Sequence, residues 1–177
     1  MKSAIAALAG AAQMLVAGAA SAEVKSTWEA GLRTENRVVV AAPPEKVYLA
    51  LGEIGRWWNG EHSYSGDSRN MTIELKPGGC FCEALPGGGV MHGEVILAWP
   101  GTTLRIRGGF GPLQDEGASG ALTFNLKKVE GGTEVVQTYA IGGLRPEMVK
   151  AAPLFDSVFG EQLTRFKSYV ETGQPTK

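Results

Sequence analysis

The chain has 177 residues, 44% of them hydrophobic and 20% charged, with a formal net charge of −1. Those values suit one globular domain of ordinary size and exclude a collagenous, low-complexity or highly charged chain. The near-neutral balance gives no electrostatic basis for binding nucleic acid or an anionic membrane surface.

The chain opens on Lys2 and an Ala-, Gly- and Leu-rich run to Ala19, followed by Ala20-Ser21-Ala22, a small-x-small cleavage pattern. This predicts a secretory signal peptide over residues 1–22 and a single domain over 23–177. The mature protein is then expected in the periplasm or outside the cell, beginning at Glu23. No stable membrane insertion is expected after cleavage, because Gln13 and the glycines spoil a spanning helix.

Glu23 to Arg33 is polar with a lone Trp28, and reads either as an extended lead-in or as part of an edge strand. Asn36 to Ala42, built on Val38-Val39-Val40, is a strand that Pro43-Pro44 ends. Pro44 suits a first helical turn, and Val47, Tyr48, Ala50, Leu51 and Ile54 recur at helical spacing up to Trp57-Trp58. Asn59 to Ser68 is a Gly/Ser/Asn/Asp-rich loop.

From Met71 the period becomes two. Met71, Ile73 and Leu75 alternate with polar residues; Cys80 to Leu85 and Val90 to Ala98 flank Pro86-Gly87-Gly88-Gly89; Leu104 to Arg107, Ala121 to Lys128 and Thr133 to Ile141 follow across Gly-rich turns. Connections this short require mostly antiparallel neighbours. Leu104 and Ile106 oppose Arg105 and Arg107, and Leu122, Phe124 and Leu126 oppose Thr123, Asn125 and Lys127, so one sheet face is apolar. A hairpin centred on Gly87-Gly88 would set Glu83 opposite His92, with Cys82 and His92 on opposite faces of the sheet; a three-residue loop would reverse this.

The chain closes with a helix from Pro153 to Gly173. Phe155, Val158, Phe159, Leu163, Phe166, Tyr169 and Val170 form one face; Asp156, Glu161, Thr164, Arg165, Lys167, Ser168 and Glu171 form the other. Gly173 and Pro175 are a stop signal. Gln162 sits inside the apolar stripe and needs an internal partner. The fold class expected is α+β: a curved antiparallel sheet of about six or seven strands around a long C-terminal helix, with two short helices after the first strand.

Cys80 and Cys82 would share one face of a regular strand with Cα atoms about 6.6 Å apart, near the outer limit for a disulfide. They are expected to be free thiols, as small buried apolar residues, with a metal half-site or a redox role as alternatives.

Several stretches resemble the START-like, or SRPBCC, superfamily, whose architecture is the helix-grip fold. They are Ala42-Pro43-Pro44-Glu45-Lys46-Val47-Tyr48 leading to Trp57-Trp58, Pro77-Gly78-Gly79-Cys80-Phe81, His92-Gly93-Glu94-Val95, Gly120-Ala121-Leu122, Gly131-Gly132-Thr133 and Tyr169-Val170-Glu171. The likeness runs from about Arg37 to Gly173 and is similar to the branch named after the activator of a heat-shock-chaperone ATPase. It implies a hydrophobic ligand cavity under the long helix and no universal catalytic set. The ligand-binding residues expected are Trp57, Trp58, Met91, Phe110, Tyr139, Phe155, Phe159 and Gln162, with Gln137 a further polar candidate. One of the two tryptophans is expected in the core and the other at an opening. The Gln162 amide is expected to project under the sheet, paired with water or Tyr139, and to meet the ligand.

His62 and His92 are the only histidines, and HExxH, CxxC, phosphate-loop and nucleophile-elbow patterns are absent. No catalytic residue, metal ligand or cofactor is therefore assigned, and His92 is expected to be structural. Three functions follow: an exported carrier or sensor of a small apolar molecule, an enzyme of the cyclase or hydratase kind, or a protein-interaction module without ligand. A cavity of useful volume separates the first two from the third, and a buried acid–base pair separates the second from the first.

Overall fold

The computed structural model describes residues 21–176, so most of the expected signal peptide lies outside the described residues. Its strands are β1 (Ser21–Trp28), β2 (Gly31–Val40), β3 (Met71–Ile73), β4 (Cys80–Leu85), β5 (Gly88–Trp99), β6 (Thr103–Gly108), β7 (Ser119–Val129) and β8 (Gly132–Gly142). Helices α1 (Pro44–Leu51) and α2 (Ile54–Trp57) follow β2, and α3 (Pro146–Lys150) precedes the long α4 (Ala152–Thr172). All eight strands form one antiparallel sheet in the order β1-β2-β8-β7-β6-β5-β4-β3. The helix pair carries the chain from β2 to the far edge at β3, and the meander then walks back until β8 pairs with β2.

The sheet has more strands than expected because Glu23–Arg33 is an edge hairpin rather than a lead-in. Trp28 folds over Gly31, where a Cβ would stand 2.3 Å from the indole ring, so the turn needs glycine there. β2 also starts earlier than its valine run. Leu32, Thr34 and Asn36 all face inward, and the two polar members hid the alternation.

Helix α4 keeps its expected limits: Pro153 lies in the first turn, and Gly173 takes a left-handed φ of 80° while its N–H bonds back to Tyr169 O. It packs across β1 and β2 and touches α1 and α2, which places it over one end of the curved sheet. Phe166 is fully buried there, edge-on to Trp57 with ring centroids 5.0 Å apart. Among the described residues no helix packs closely on the β4–β6 end of the sheet, which leaves that end open.

Asp156 departs from its expected outward face. The added strand β1 covers that side of α4, and Asp156 is 7% exposed with Asn36 Nδ2 donating to its Oδ1 at 3.3 Å. Burial raises its carboxyl above the ordinary 3.8; the Asn36 bond opposes this only in part, and the Glu23 charge adds to it. The folded state therefore holds the proton more tightly than the unfolded chain, so this group's contribution to stability falls as pH rises from 3.8 through the raised value. Asp156→Asn keeps the acceptor and removes the charge. Thermal unfolding should show it more stable than wild type at neutral pH by about 1 kcal/mol, with the gain vanishing below the ordinary carboxyl range.

Cys80 and Cys82 form a disulfide, which corrects the expectation of free thiols. Their Cα atoms are 5.3 Å apart, well inside bridging range, at the place where the β4–β5 register shifts. The full strand extension assumed from sequence does not hold there.

Candidate functional site

The wall of the site begins where α2 ends. Trp58 turns into extended backbone, and Asn59 caps the short turn Gly60–His62 by accepting from Glu61 N at 3.0 Å. That turn is fastened to α4 at several points. Asn59 Nδ2 donates to Glu161 Oε1 (2.6 Å), His62 Nε2 meets Glu161 Oε2 (3.2 Å), and Arg165 Nε donates to Trp57 O (3.1 Å). Gln162 belongs to this set: its Oε1 accepts from Asn59 N at 2.8 Å, and the residue is fully buried. It is a clamp between loop and helix and does not line the cavity, so its expected projection under the sheet is corrected. Its partner is a backbone amide, which no side-chain pattern announces.

Between the N-terminal half of α4 and strands β4 and β5 lies a cavity of ≈ 580 Å³. Its apolar wall is made by Trp58, Met71, Phe81, Phe110, Leu113, Phe155, Val158 and Phe159. The exposed members of the lining, Glu61, His62, Tyr64, Pro112, Asp115 and Leu154, mark its mouth. The aromatic rings form a connected lattice: Trp58–Phe81 at 6.2 Å, Phe81–Phe110 at 5.8 Å and Phe110–Phe159 at 6.2 Å between centroids.

Of the residues expected from sequence, Trp58, Phe110, Phe155 and Phe159 line this cavity, and Trp57, Met91, Tyr139 and Gln162 do not. The tryptophan pair divides as expected. Trp57 is 1% exposed and donates to Ala50 O, whereas Trp58 donates to His62 O and turns its ring to the cavity. Tyr139 stands behind the wall, in contact with Phe110 (5.0 Å) and Phe159 (4.9 Å), and its hydroxyl donates to Gly108 O. Burial drives its phenol far above the ordinary range. Gln137 is also sealed away, across β2–β8 from Asn36, and its amide has no protein partner among the described residues. Met91 is 60% exposed on the outer face. The reason is register: the hairpin turns on Pro86-Gly87, with Leu85 opposite Gly88, so Met91 pairs with Cys82 outside.

The hairpin register also sets His92 inward: Val90 pairs with the inward Glu83 and Met91 with Cys82, so alternation turns His92 to the Glu83 side. Phe81 pairs with Gly93 and Cys82 with Met91, leaving His92 as the extra residue. Gly108 permits this, since a Cβ there would lie 2.2 Å from His92 O. His92 is 5% exposed and lines the cavity, its ring 4.8 Å from Phe81 and 5.8 Å from Tyr64. Behind it sits Glu83, 1% exposed, whose carboxylate accepts from His92 Nε2 (2.9 Å), Tyr64 N (3.1 Å) and Ser65 N (2.5 Å). Burial alone would raise the Glu83 carboxyl, but the bonds from Ser65, Tyr64 and His92 hold it below the ordinary 4.5. Burial pulls His92 below its ordinary 6.5, and the neighbouring carboxylate offsets that only partly. The pair is thus a carboxylate and a neutral imidazole. The expectation that His92 serves structure alone missed its place on the wall. The available signal was Glu83 itself, an acidic residue two positions from Phe81 on the inward side of a strand.

Among the described residues no group of three or more His, Cys, Asp or Glu is placed to hold a metal ion, and no described helix is long and apolar enough to cross a membrane.

Residues 31–171 match the family of polyketide cyclase/dehydrase and lipid transport proteins. Among solved structures, a conserved protein of unknown function from Enterococcus faecalis superposes with a TM-score of 0.59 at 14% identity, covering 89% of this chain and 80% of its own. A Staphylococcus saprophyticus protein gives 0.55 at 15% identity, covering 82% of this chain and 96% of its own. The Aha1 dimer from Colwellia psychrerythraea gives 0.52 at 21% identity, covering 80% of this chain and 97% of its own. These likenesses establish the fold. No curated protein sequence matches the chain.

Proposed function

Because this chain belongs to the polyketide cyclase/dehydrase and lipid transport family, we propose that it is an exported carrier or sensor that binds a small hydrophobic molecule between its sheet and α4. The observation that carries this reading is the cavity: ≈ 580 Å³ with an aromatic and aliphatic wall and a polar mouth, the usual make-up of a small-molecule site. A protein-interaction module without ligand does not need such a space, which supports the binding reading over that alternative.

Export is supported by the cleavage pattern at Ala20-Ser21-Ala22 and by the Cys80–Cys82 bond, which suits an oxidising compartment. Cleavage after Ala22 would remove only the first two residues of β1 and leave Glu23–Trp28 to pair with β2. An intact Met1–Ala22 on the native protein would contradict this part of the reading.

Val158 lines the cavity and is half-buried, so a larger side chain there enters the space without displacing core. Fluorescence titration with the apolar probe N-phenyl-1-naphthylamine should give saturable binding to wild type. Val158→Trp should bind at least about tenfold more weakly, the scale for losing one buried hydrophobic contact surface, with little change in unfolding temperature. Equal affinities would place the probe elsewhere and overturn the cavity reading. The cyclase- or hydratase-like alternative is favoured by one observation, the buried Glu83–His92 pair beside the cavity.

A further inference from the structure

We propose that His92 Nδ1 accepts a hydrogen bond from an acidic hydroxyl of the cavity's ligand, so that the site selects phenols and enols over hydrocarbons of the same shape. This rests on the cavity reading above and adds the chemical class of the ligand.

The Glu83 carboxylate can only accept, so the shared hydrogen of the 2.9 Å contact is on His92 Nε2. Glu83 is itself held by the backbone amides of Tyr64 and Ser65, which fixes the imidazole's tautomer as well as its position. With Nε2 protonated and the ring neutral, Nδ1 carries a lone pair. No group among the described residues hydrogen-bonds to Nδ1, although the ring is 5% exposed and forms part of the cavity wall.

Around it the interior offers Phe81, Phe110, Phe159, Met71 and Leu113, none of which can donate or accept a strong hydrogen bond. An acceptor set in a mostly apolar wall rewards a ligand with one donor at the matching point. Acidity matters because Glu83 stabilises whatever positive charge the imidazole gains as the ligand's proton is shared. A phenol or enol shares its proton more readily than an aliphatic alcohol. An ammonium ligand would be desolvated without a carboxylate on the interior wall, since Glu61 and Asp115 sit at the exposed mouth.

The test compares 2-naphthol with naphthalene, which differ by one hydroxyl, by equilibrium titration on the full chain. Wild type should prefer 2-naphthol by about tenfold or more, the worth of one buried hydrogen bond. His92→Phe should bring the two within about twofold of each other while still binding naphthalene. Nitrogen NMR of wild type supplies a readout that does not depend on the variant's folding. It should place the proton on Nε2, and Nδ1 should shift on adding 2-naphthol but not naphthalene. Equal affinity of wild type for the two compounds, or a proton on Nδ1, overturns the proposal and leaves the cavity reading intact. Failure of both compounds to bind overturns the cavity reading and this proposal with it.

Discussion

Replacing Glu83 with alanine should destabilise the protein by about 3–5 kcal/mol in urea unfolding, the cost of removing one partner from a buried charged network. The residue is 1% exposed, and its carboxylate is the acceptor for Tyr64 N, Ser65 N and His92 Nε2. Without it, two backbone amides and an imidazole N–H are left inside with nothing to accept them, each costing about 1–3 kcal/mol if water cannot follow. Glu83→Gln keeps the bulk and one acceptor oxygen, so its loss should be smaller, about 1–3 kcal/mol. The pH dependence follows from the lowered carboxyl. The unfolded state binds the proton more tightly, so the stability Glu83 contributes is fully present above 4.5 and disappears as pH falls through the lower folded value. A loss below about 1 kcal/mol for the alanine variant would mean that the network is solvated and that His92 is not fixed by it.

Phe166→Ala should cost about 3–5 kcal/mol, the range for removing a large aromatic from a core that cannot collapse. Phe166 has no exposed surface and packs edge-on to Trp57, whose own indole is bonded to Ala50 O. That contact joins α4 to the α1–α2 segment, so the void would open where three helices meet. Phe155 lies on the same apolar stripe but at the cavity end, where it is half-buried and already borders open space. Phe155→Ala should therefore cost about 1 kcal/mol or less, while enlarging the cavity. Parallel thermal melts of the two variants check the contrast. Equal losses would mean that the N-terminal half of α4 is packed as tightly as the C-terminal half and that the cavity is not a stable space.

The helix was legible because its apolar spacing, Pro153 and Gly173 all point to the same limits. The meander was legible because Leu104/Ile106 and Leu122/Phe124/Leu126 alternate cleanly, and each of these residues is buried. Local pattern failed wherever a contact distant in sequence decided the outcome. Asp156 lies on the polar side of an isolated helix, and it is buried where α4 packs on β1 and β2, with Asn36 of β2 as its partner. Gln162 reads as a polar group facing ligand, yet a backbone amide 103 residues away holds it. In the β4–β5 hairpin Phe81 and Glu83 face inward, and the pairing of Glu83 with Val90 puts His92 on that same face and Met91 on the other. The register shift that follows, between Phe81 and Cys82, is an insertion that alternation counting, which assumes regular pairing, cannot register.

The central claim is that the space under α4 holds a small apolar molecule. Native mass spectrometry of the protein isolated from its own compartment tests it most directly, with Val158→Trp isolated in the same way as control. Wild type should carry an additional small-molecule mass that organic extraction removes and that is missing from Val158→Trp. Bare-chain masses for both proteins, or the same adduct retained by both, would contradict it.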